Sequence, residues 1–319
     1  MSRDISNIYQ MKKNIYIVGP EISSERLDMF LSSESGLTRS RVKKLIEIGS
    51  VTVNSTPKTK TSHKLRGSDQ VELIIPNEPE GILIPEDIPL DIIWEDDHII
   101  VVNKPPGMVV YPAAGNRSGT LMNALVSKCA ISATAGAPLR PGVVHRLDKE
   151  TSGAMVIAKD DNAYHELIRQ FKEREIEKHY LALISGNLKE DTGEIDRAIG
   201  RSLSDRKKMS VRTRKGKEAI TRFTVVERFG PATMAKIQIL TGRTHQIRVH
   251  FASIGTPVLG DRTYGKKTSI RIGNITVPFK RQMLHAHTIK LRHPVTRDIM
   301  EFTAPVPEDM EKAIEALKR

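Results

Sequence analysis

One cysteine and one tryptophan stand in 319 residues, and aromatic residues make up only 4% of the chain. The lone Cys129 excludes an internal disulfide and a thiolate metal cage. It lies between Lys128 and Ala130 with no histidine beside it, so it reads as inert packing in a reducing compartment. No stretch approaches the ~18 consecutive apolar residues of a membrane span. Met1–Asn7 carries no apolar leader core, so a soluble, cytoplasmic protein without a membrane partner is expected. A G-x-S-x-G elbow is missing, which argues against a serine hydrolase. His245, His250, His285 and His287 lack carboxylates at familiar ligand spacing, so no metal is expected. What is abundant is positive charge: 50 Lys and Arg against 38 Asp and Glu, a net charge of +12. With a pI near 9.7, the chain is suited to a polyanion, above all nucleic acid.

A hydrophobic fraction of 39% supports a real core, and the length suits one large domain plus a small one. Residues 1–21 read as a tail. Residues 22–75 read as helix, helix, strand, strand. The first helix begins near Ser24, a candidate cap, with Leu27, Phe30 and Leu31 on one face. The second is capped by Thr38 and stopped by Gly49, with Val42, Leu45 and Ile46 inward. That leaves Arg39, Arg41, Lys43 and Lys44 on an outer edge, where they are either a solvated face or a phosphate-binding one. Residues 76–92 hold Pro76, Pro79, Pro85 and Pro89, a spacing that forbids a regular helix and suggests a semi-rigid linker. Residues 93–319 then alternate strands and helices. Strands are expected at 99–102, 178–185, 220–227, 234–240, 285–291 and 299–303. Helices are expected after Asp160, over 244–254 and from about 307. Between Arg197 and Lys217 nine Lys or Arg face one acidic residue, Asp205. This stretch reads as an exposed hairpin or loop that grips RNA through Arg206, Lys207, Lys208, Arg212 and Arg214.

The densest chemistry lies in Pro141-Gly142-Val143-Val144-His145-Arg146-Leu147-Asp148-Lys149-Glu150-Thr151-Ser152-Gly153. Side chains two apart on an extended segment share a face, so Arg146 and Asp148 project together ahead of an apolar strand, Ala154 to Ala158. Alone, such a pair is as readily a surface turn with an incidental ion pair. Three further stretches stand with it: Asn103-Lys104-Pro105-Pro106-Gly107, Lys178-His179-Tyr180-Leu181-Ala182-Leu183, and Leu240-Thr241-Gly242-Arg243-Thr244-His245-Gln246-Ile247-Arg248-Val249-His250. Together, and in their order along the chain, they resemble the four motifs of the RluA-type RNA pseudouridine synthases over about residues 93–305. Ala154 is a small departure, standing where a larger apolar residue is common. The Arg-Leu-Asp start, the Thr-Arg-Ser-Arg helix and the Gly-Ser-Val-Thr-Val-Asn strand of residues 22–75 resemble an S4 RNA-binding domain.

The resemblance implies an α+β fold: a catalytic domain with a mixed, largely antiparallel sheet around a central cleft, plus a small N-terminal S4 domain. It implies isomerisation of uridine to pseudouridine without a cofactor. Asp148 would be the catalytic carboxylate, either adding to the substrate or abstracting a sugar proton. Arg243 would pair with it and keep it ionised. Tyr180 would stack on the uracil, and Arg146 would fill the gap left by the flipped nucleotide. Ile239 and Leu240 would be apolar walls. His245, Gln246 and Arg248 would serve the substrate, the last two through either structural bonds or RNA contacts. Large-subunit ribosomal RNA is the expected partner, transfer RNA the alternative, and the enzyme is expected to be a monomer. A non-catalytic ribosome-assembly factor would need the RNA-binding surface but not Asp148.

Overall fold

The computed structural model describes residues 11–76, 82–113, 115–205, 207–273 and 275–318. The chain separates into two compact units, residues 1–81 and 82–319.

In the first unit, helices Leu27–Ser35 and Arg39–Glu47 pack on a four-stranded antiparallel sheet. Its strand order is Met11–Ile17, Gln70–Pro76, Val51–Val53, Thr56–Pro57. The inward helix residues Leu27, Leu31, Val42 and Ile46 meet Val51, Leu65, Val71 and Leu73 in one buried cluster. The first strand lies inside the segment read as a tail. It pairs along its whole length with Gln70–Pro76, from Met11 opposite Pro76 to Ile17 opposite Gln70. Its Ile15-Tyr16-Ile17 stretch was the available signal, and the ladder it completes is long-range. Ser24 does not cap the first helix: Arg26 holds that position in extended conformation, without a side-chain cap. Arg26 instead donates to Asp28 at 2.9 Å, and Arg39 donates to the other Asp28 oxygen at 2.9 Å. Thr38 stands at the second helix's N-terminus, but its hydroxyl lies by Ser40 rather than on the backbone.

The second unit is organised by a nine-stranded mixed sheet. Its order is Thr192–Asp196, Ile220–Arg228, Ala232–Ile239, Glu177–Ser185, Leu284–Arg292, Ser152–Ala158, Ile99–Lys104 and Asp91–Glu95, with Ile299–Thr303 also on Leu284–Arg292. Every pairing is antiparallel except Leu284–Arg292 with Ser152–Ala158. Ser152–Ala158 is buried at all seven positions, as a near-continuous apolar run between covered faces should be. At the parallel junction Gly153, φ +119°, faces Ala286, and a Cβ there would sit 2.1 Å from the Ala286 carbonyl oxygen. Only glycine lets these strands close directly behind the Asp148 loop.

The segment 82–90, read as part of a linker, packs on this unit. Leu83 and Leu90 lie against its core. Glu86 accepts both bonds from the Gly119 amide at 3.0 and 3.1 Å, and Asn123 donates to the Ile84 carbonyl at 2.7 Å. Prolines exclude helix here but not an irregular segment packed on the unit. Asn123 also completes a capping box with Thr120 on Leu121–Lys128, a helix that the sequence reading omitted. Asp160 caps Asp161–Glu173 through the Ala163 amide at 2.8 Å.

Candidate active site

The loop between Val143 and Ser152 runs unpaired to Asp148 and then turns at Lys149–Glu150, and it is anchored almost residue by residue. Leu147 is buried in the main core while Asp148 points the other way, its side chain 18% exposed. Behind Asp148 the amide of Thr151 donates to its carbonyl at 3.1 Å. The next carbonyl, of Lys149, accepts from the Gly107 amide at 2.9 Å and from the Lys104 ammonium at 3.2 Å. The carbonyl after that, of Glu150, accepts from Arg281 at 3.1 Å. Gln282 then donates to the Thr151 hydroxyl at 2.9 Å.

Two buried cations therefore hold consecutive peptide groups beside Asp148. Lys104 is fully buried and also donates to the carbonyls of Pro105 at 2.7 Å and Met108 at 2.9 Å. Burial pushes its pKa down to about 7. Three carbonyl acceptors pull the other way, since only an ammonium has three protons to give. Arg281 is locked in turn by Asp309 of the C-terminal helix Glu308–Leu317, at 2.7 and 2.8 Å.

The open side of Asp148 faces a cleft of about 380 Å³. All nine residues expected to act there line it: Arg146, Asp148, Tyr180, Ile239, Leu240, Arg243, His245, Gln246 and Arg248. Their arrangement differs in one respect from the expected one. Arg248, not Arg243, pairs with Asp148, its Nη1 donating to Oδ2 at 2.9 Å. Arg248 is the third residue of helix Gln246–Ser253, whose axis carries it under the Asp148 loop. Arg243 precedes that helix and donates through Nε to the Glu218 carbonyl at 2.9 Å. Arg248 is itself held by Asp261, which is fully buried as a side chain, at 2.7 and 3.0 Å. Asp261 also caps the turn after it through the amides of Thr263 and Tyr264.

Gln246 is a structural residue here. Its oxygen accepts from Thr241 at 2.8 Å and from the Arg243 amide at 3.0 Å, and its nitrogen donates to the Ile220 carbonyl and to Thr221. It shapes the 241–243 turn and has nothing left for RNA. Arg146 is exposed and lies over the Tyr111 ring at 5.6 Å, donating to its hydroxyl. A register shift between His179 and Tyr180, where their strand meets Leu284–Arg292, turns the nearly buried Tyr180 into the cleft. Burial, with Asp148 as the nearby negative charge, raises its phenol pKa, so it stays protonated at neutral pH.

Several residues of the site were not foreseen. His145 stacks on Phe171 at 5.0 Å and accepts the Val156 amide through Nε2 at 3.1 Å. Burial lowers its pKa to about 3, so it acts as a neutral acceptor. Lys178 lies over the same Phe171 ring at 5.1 Å, and burial lowers it to about 8. Asp261, Tyr264 and Arg281 come from turns far along the chain with no periodic signal. Lys104 was in view as a motif residue but without a role.

Of the residues expected to hold RNA, Arg39 is bound to Asp28, Lys43 lies 3.7 Å from Glu47, and Lys44 is exposed. Arg41 is partly buried. Gly200–Arg201 pairs with Met209–Ser210, so the basic stretch contains a hairpin. Lys207, Lys208, Arg212 and Arg214 are exposed on and after it. Arg206 lies outside the described residues.

Comparisons with known proteins agree on the family. Residues 98–253 match the family model for RNA pseudouridylate synthase, and residues 25–71 match the S4 domain. An uncharacterized RNA pseudouridine synthase of Bacillus subtilis is 43% identical, over 94% of this chain and 96% of that protein. Another, from Aquifex aeolicus, is 47% identical over 90% and 92%. The ribosomal large subunit pseudouridine synthase D of Pasteurella multocida is 41% identical over 92% and 91%. Among solved structures, human RNA pseudouridylate synthase domain containing 4 aligns with TM-score 0.56 and 25% identity, over 72% of this chain and 93% of that one. A cleft built on the four motifs, an S4 domain ahead of it and relatives matching nearly end to end lead to one conclusion: the chain belongs to the RluA-type RNA pseudouridine synthases.

Proposed function

We propose that the protein converts specific uridines of large-subunit ribosomal RNA to pseudouridine, with Asp148 as the catalytic carboxylate. The reaction breaks the N1–C1′ bond of uridine and forms a C5–C1′ bond, with the C5 proton released and N1 taking up a proton. A carboxylate that attacks the sugar or takes its proton must be ionised and shielded from water. The observation that carries the reading is the Arg248–Asp148 pair at 2.9 Å in a cleft walled by Tyr180 and Ile239. Arg248 fixes the orientation of this carboxylate and leaves its other oxygen turned to the cleft. Tyr180, protonated, presents an aromatic face to a base and a hydroxyl to its polar edge. In this reading Arg146, exposed and lining the cleft, takes the space of a flipped nucleotide. The choice of ribosomal RNA rests on the S4 domain and on relatives named for the large ribosomal subunit.

The test is tritium release from C5-labelled uridine in large-subunit ribosomal RNA, with transfer RNA in parallel. Wild type is expected to release tritium from the ribosomal substrate, and Asp148→Asn to release none while keeping its RNA affinity. Release from transfer RNA alone would move the substrate. Release by Asp148→Asn at the wild-type rate would remove Asp148 from the chemistry.

A further inference from the structure

His245 has features that neither its motif nor the pairing of Asp148 with Arg248 accounts for. It stands at the start of helix Gln246–Ser253 with φ +57°, in the left-handed region, an uncommon place for a residue with a side chain. Its Nε2 lies 3.8 Å from Asp148 Oδ1, the oxygen that Arg248 does not bind. Its Nδ1 lies 2.7 Å from the Tyr264 hydroxyl. That hydroxyl accepts the amide proton of Met209 at 3.0 Å. Met209 belongs to the basic hairpin, and its amide points out of the hairpin ladder toward Tyr264.

One direction of the chain gives the Tyr264 hydroxyl proton an acceptor as well as its oxygen a donor. The Tyr264 oxygen already accepts from Met209, and its one proton is best placed on Nδ1 of His245. A neutral imidazole accepting at Nδ1 carries its proton on Nε2. That proton faces Asp148. The groups acting on His245 are Asp148 and Asp261, which favour its charged form, and Arg248 and Arg146, which oppose it. Burial is the largest influence and lowers its pKa, so the ring is neutral near pH 7. Arg248 also stacks its guanidinium 5.1 Å from the Tyr264 ring, so the tyrosine touches both partners of Asp148.

We propose that Tyr264 is a positioning residue that fixes His245 as the Nε2–H tautomer facing Asp148, and that its bond to Met209 links this setting to the seating of the basic hairpin. RNA bound across Lys207 and Lys208 thereby bears on the free oxygen of Asp148. The chain runs from hairpin backbone to phenol to imidazole to carboxylate without a gap longer than 3.8 Å. The inference rests on the reading of Asp148 as the catalytic group, but its structural half can be tested without turnover.

The first measurement is ¹⁵N NMR of the histidine-labelled full-length protein, with His245 assigned by its loss in His245→Gln. The expected signal is an Nε2–H tautomer in wild type and a mixture in Tyr264→Phe. An Nδ1–H tautomer in wild type would overturn the proposal whatever the activity. Met209→Pro removes the amide proton, whereas Met209→Ala keeps it, so only the proline variant should disturb the tautomer. Equal effects of the two would cut the hairpin out of the chain.

The second measurement is the single-turnover rate against pH at saturating enzyme. Tyr264→Phe should slow the step by roughly tenfold to a hundredfold, with RNA affinity held within about twofold. Losing a donor that favours neutral imidazole raises the pKa of His245, so the acid limb of the profile should move to higher pH. A uniform fall with an unmoved limb, or an equal loss of binding, would reduce Tyr264 to packing. Turnover by Asp148→Asn would instead sink the catalytic reading and leave the tautomer result standing.

Discussion

Arg248 joins two carboxylates, and this decides what its loss should do. It is 7% exposed as a side chain and bonded to Asp261 on one edge and Asp148 on the other. Replacing it with methionine keeps the volume but leaves two carboxylates facing each other. Breaking a buried pair by removing one partner costs about 3–5 kcal/mol. Urea unfolding should show that loss for Arg248→Met, and a change of less than about 1 kcal/mol would mean that the pair is solvated. His145 sets a second residue-scale expectation. Its folded pKa, about 3, lies below the ordinary value of 6.5. The unfolded chain therefore binds the extra proton between those limits, and stability falls as the pH drops from about 6.5 towards 3. The cleft edge of the ring sees some solvent, so the loss should be on the order of 2–3 kcal/mol rather than the full shift. Melting temperatures against pH should fall less steeply for His145→Gln, which can still accept from Val156. Parallel curves would show that His145 does not carry the acid sensitivity. Asp148 and Tyr180 were legible because their motifs are contiguous. The choice between Arg243 and Arg248 was not, because they stand five residues apart in one motif and only the helix start decides which points inward. Asp261 and Tyr264 were illegible because they hold Arg248 and His245 from a turn that carries no pattern.

At the scale of elements, the basic hairpin is the part whose physics is most separable from chemistry. Lys207 and Lys208 are exposed at its tip, with Lys208 3.8 Å from Asp205. Each phosphate neutralised contributes about 0.7–0.9 to the slope of log affinity against log salt. Lys207→Ala with Lys208→Ala should therefore flatten that slope by roughly one to two units, weakening RNA binding most at low salt. An unchanged slope would place the RNA elsewhere. The hairpin was visible as charge density without apolar spacing, and the inner strands as unbroken apolar runs. The strand Met11–Ile17 and the packed segment 82–90 were not visible. In both, extended backbone is defined by partners distant in sequence, Gln70–Pro76 in one case and the Leu121–Lys128 helix in the other. Proline spacing reports what a segment cannot be, and not what it leans on.

For the whole molecule, the two units each carry a separate buried core. The first closes around Leu27, Val42 and Leu73, and the second contains every residue placed at the cleft. The groups that fix Asp148 are likewise internal to the second unit, from Lys104 through Arg248 and Asp261 to Arg281. The basic S4 surface and the chemistry are thus built on different cores, and they should separate on deletion. A chain beginning at Ile82 keeps the contacts of Leu83, Ile84 and Glu86 with the second unit, whereas a cut at 93 would remove them. The version starting at 82 should fold cooperatively, and the one starting at 93 should lose stability through the exposed Leu121–Lys128 helix. With ribosomal RNA, the longer truncation should bind several-fold to a hundredfold more weakly while its single-turnover rate at saturating enzyme stays within about threefold of wild type, since phosphate contacts position RNA without touching the reacting bonds. A chemical step that collapses in the folded truncation would show that the S4 unit helps assemble the cleft, and unchanged affinity would show that the hairpin and cleft alone hold the RNA.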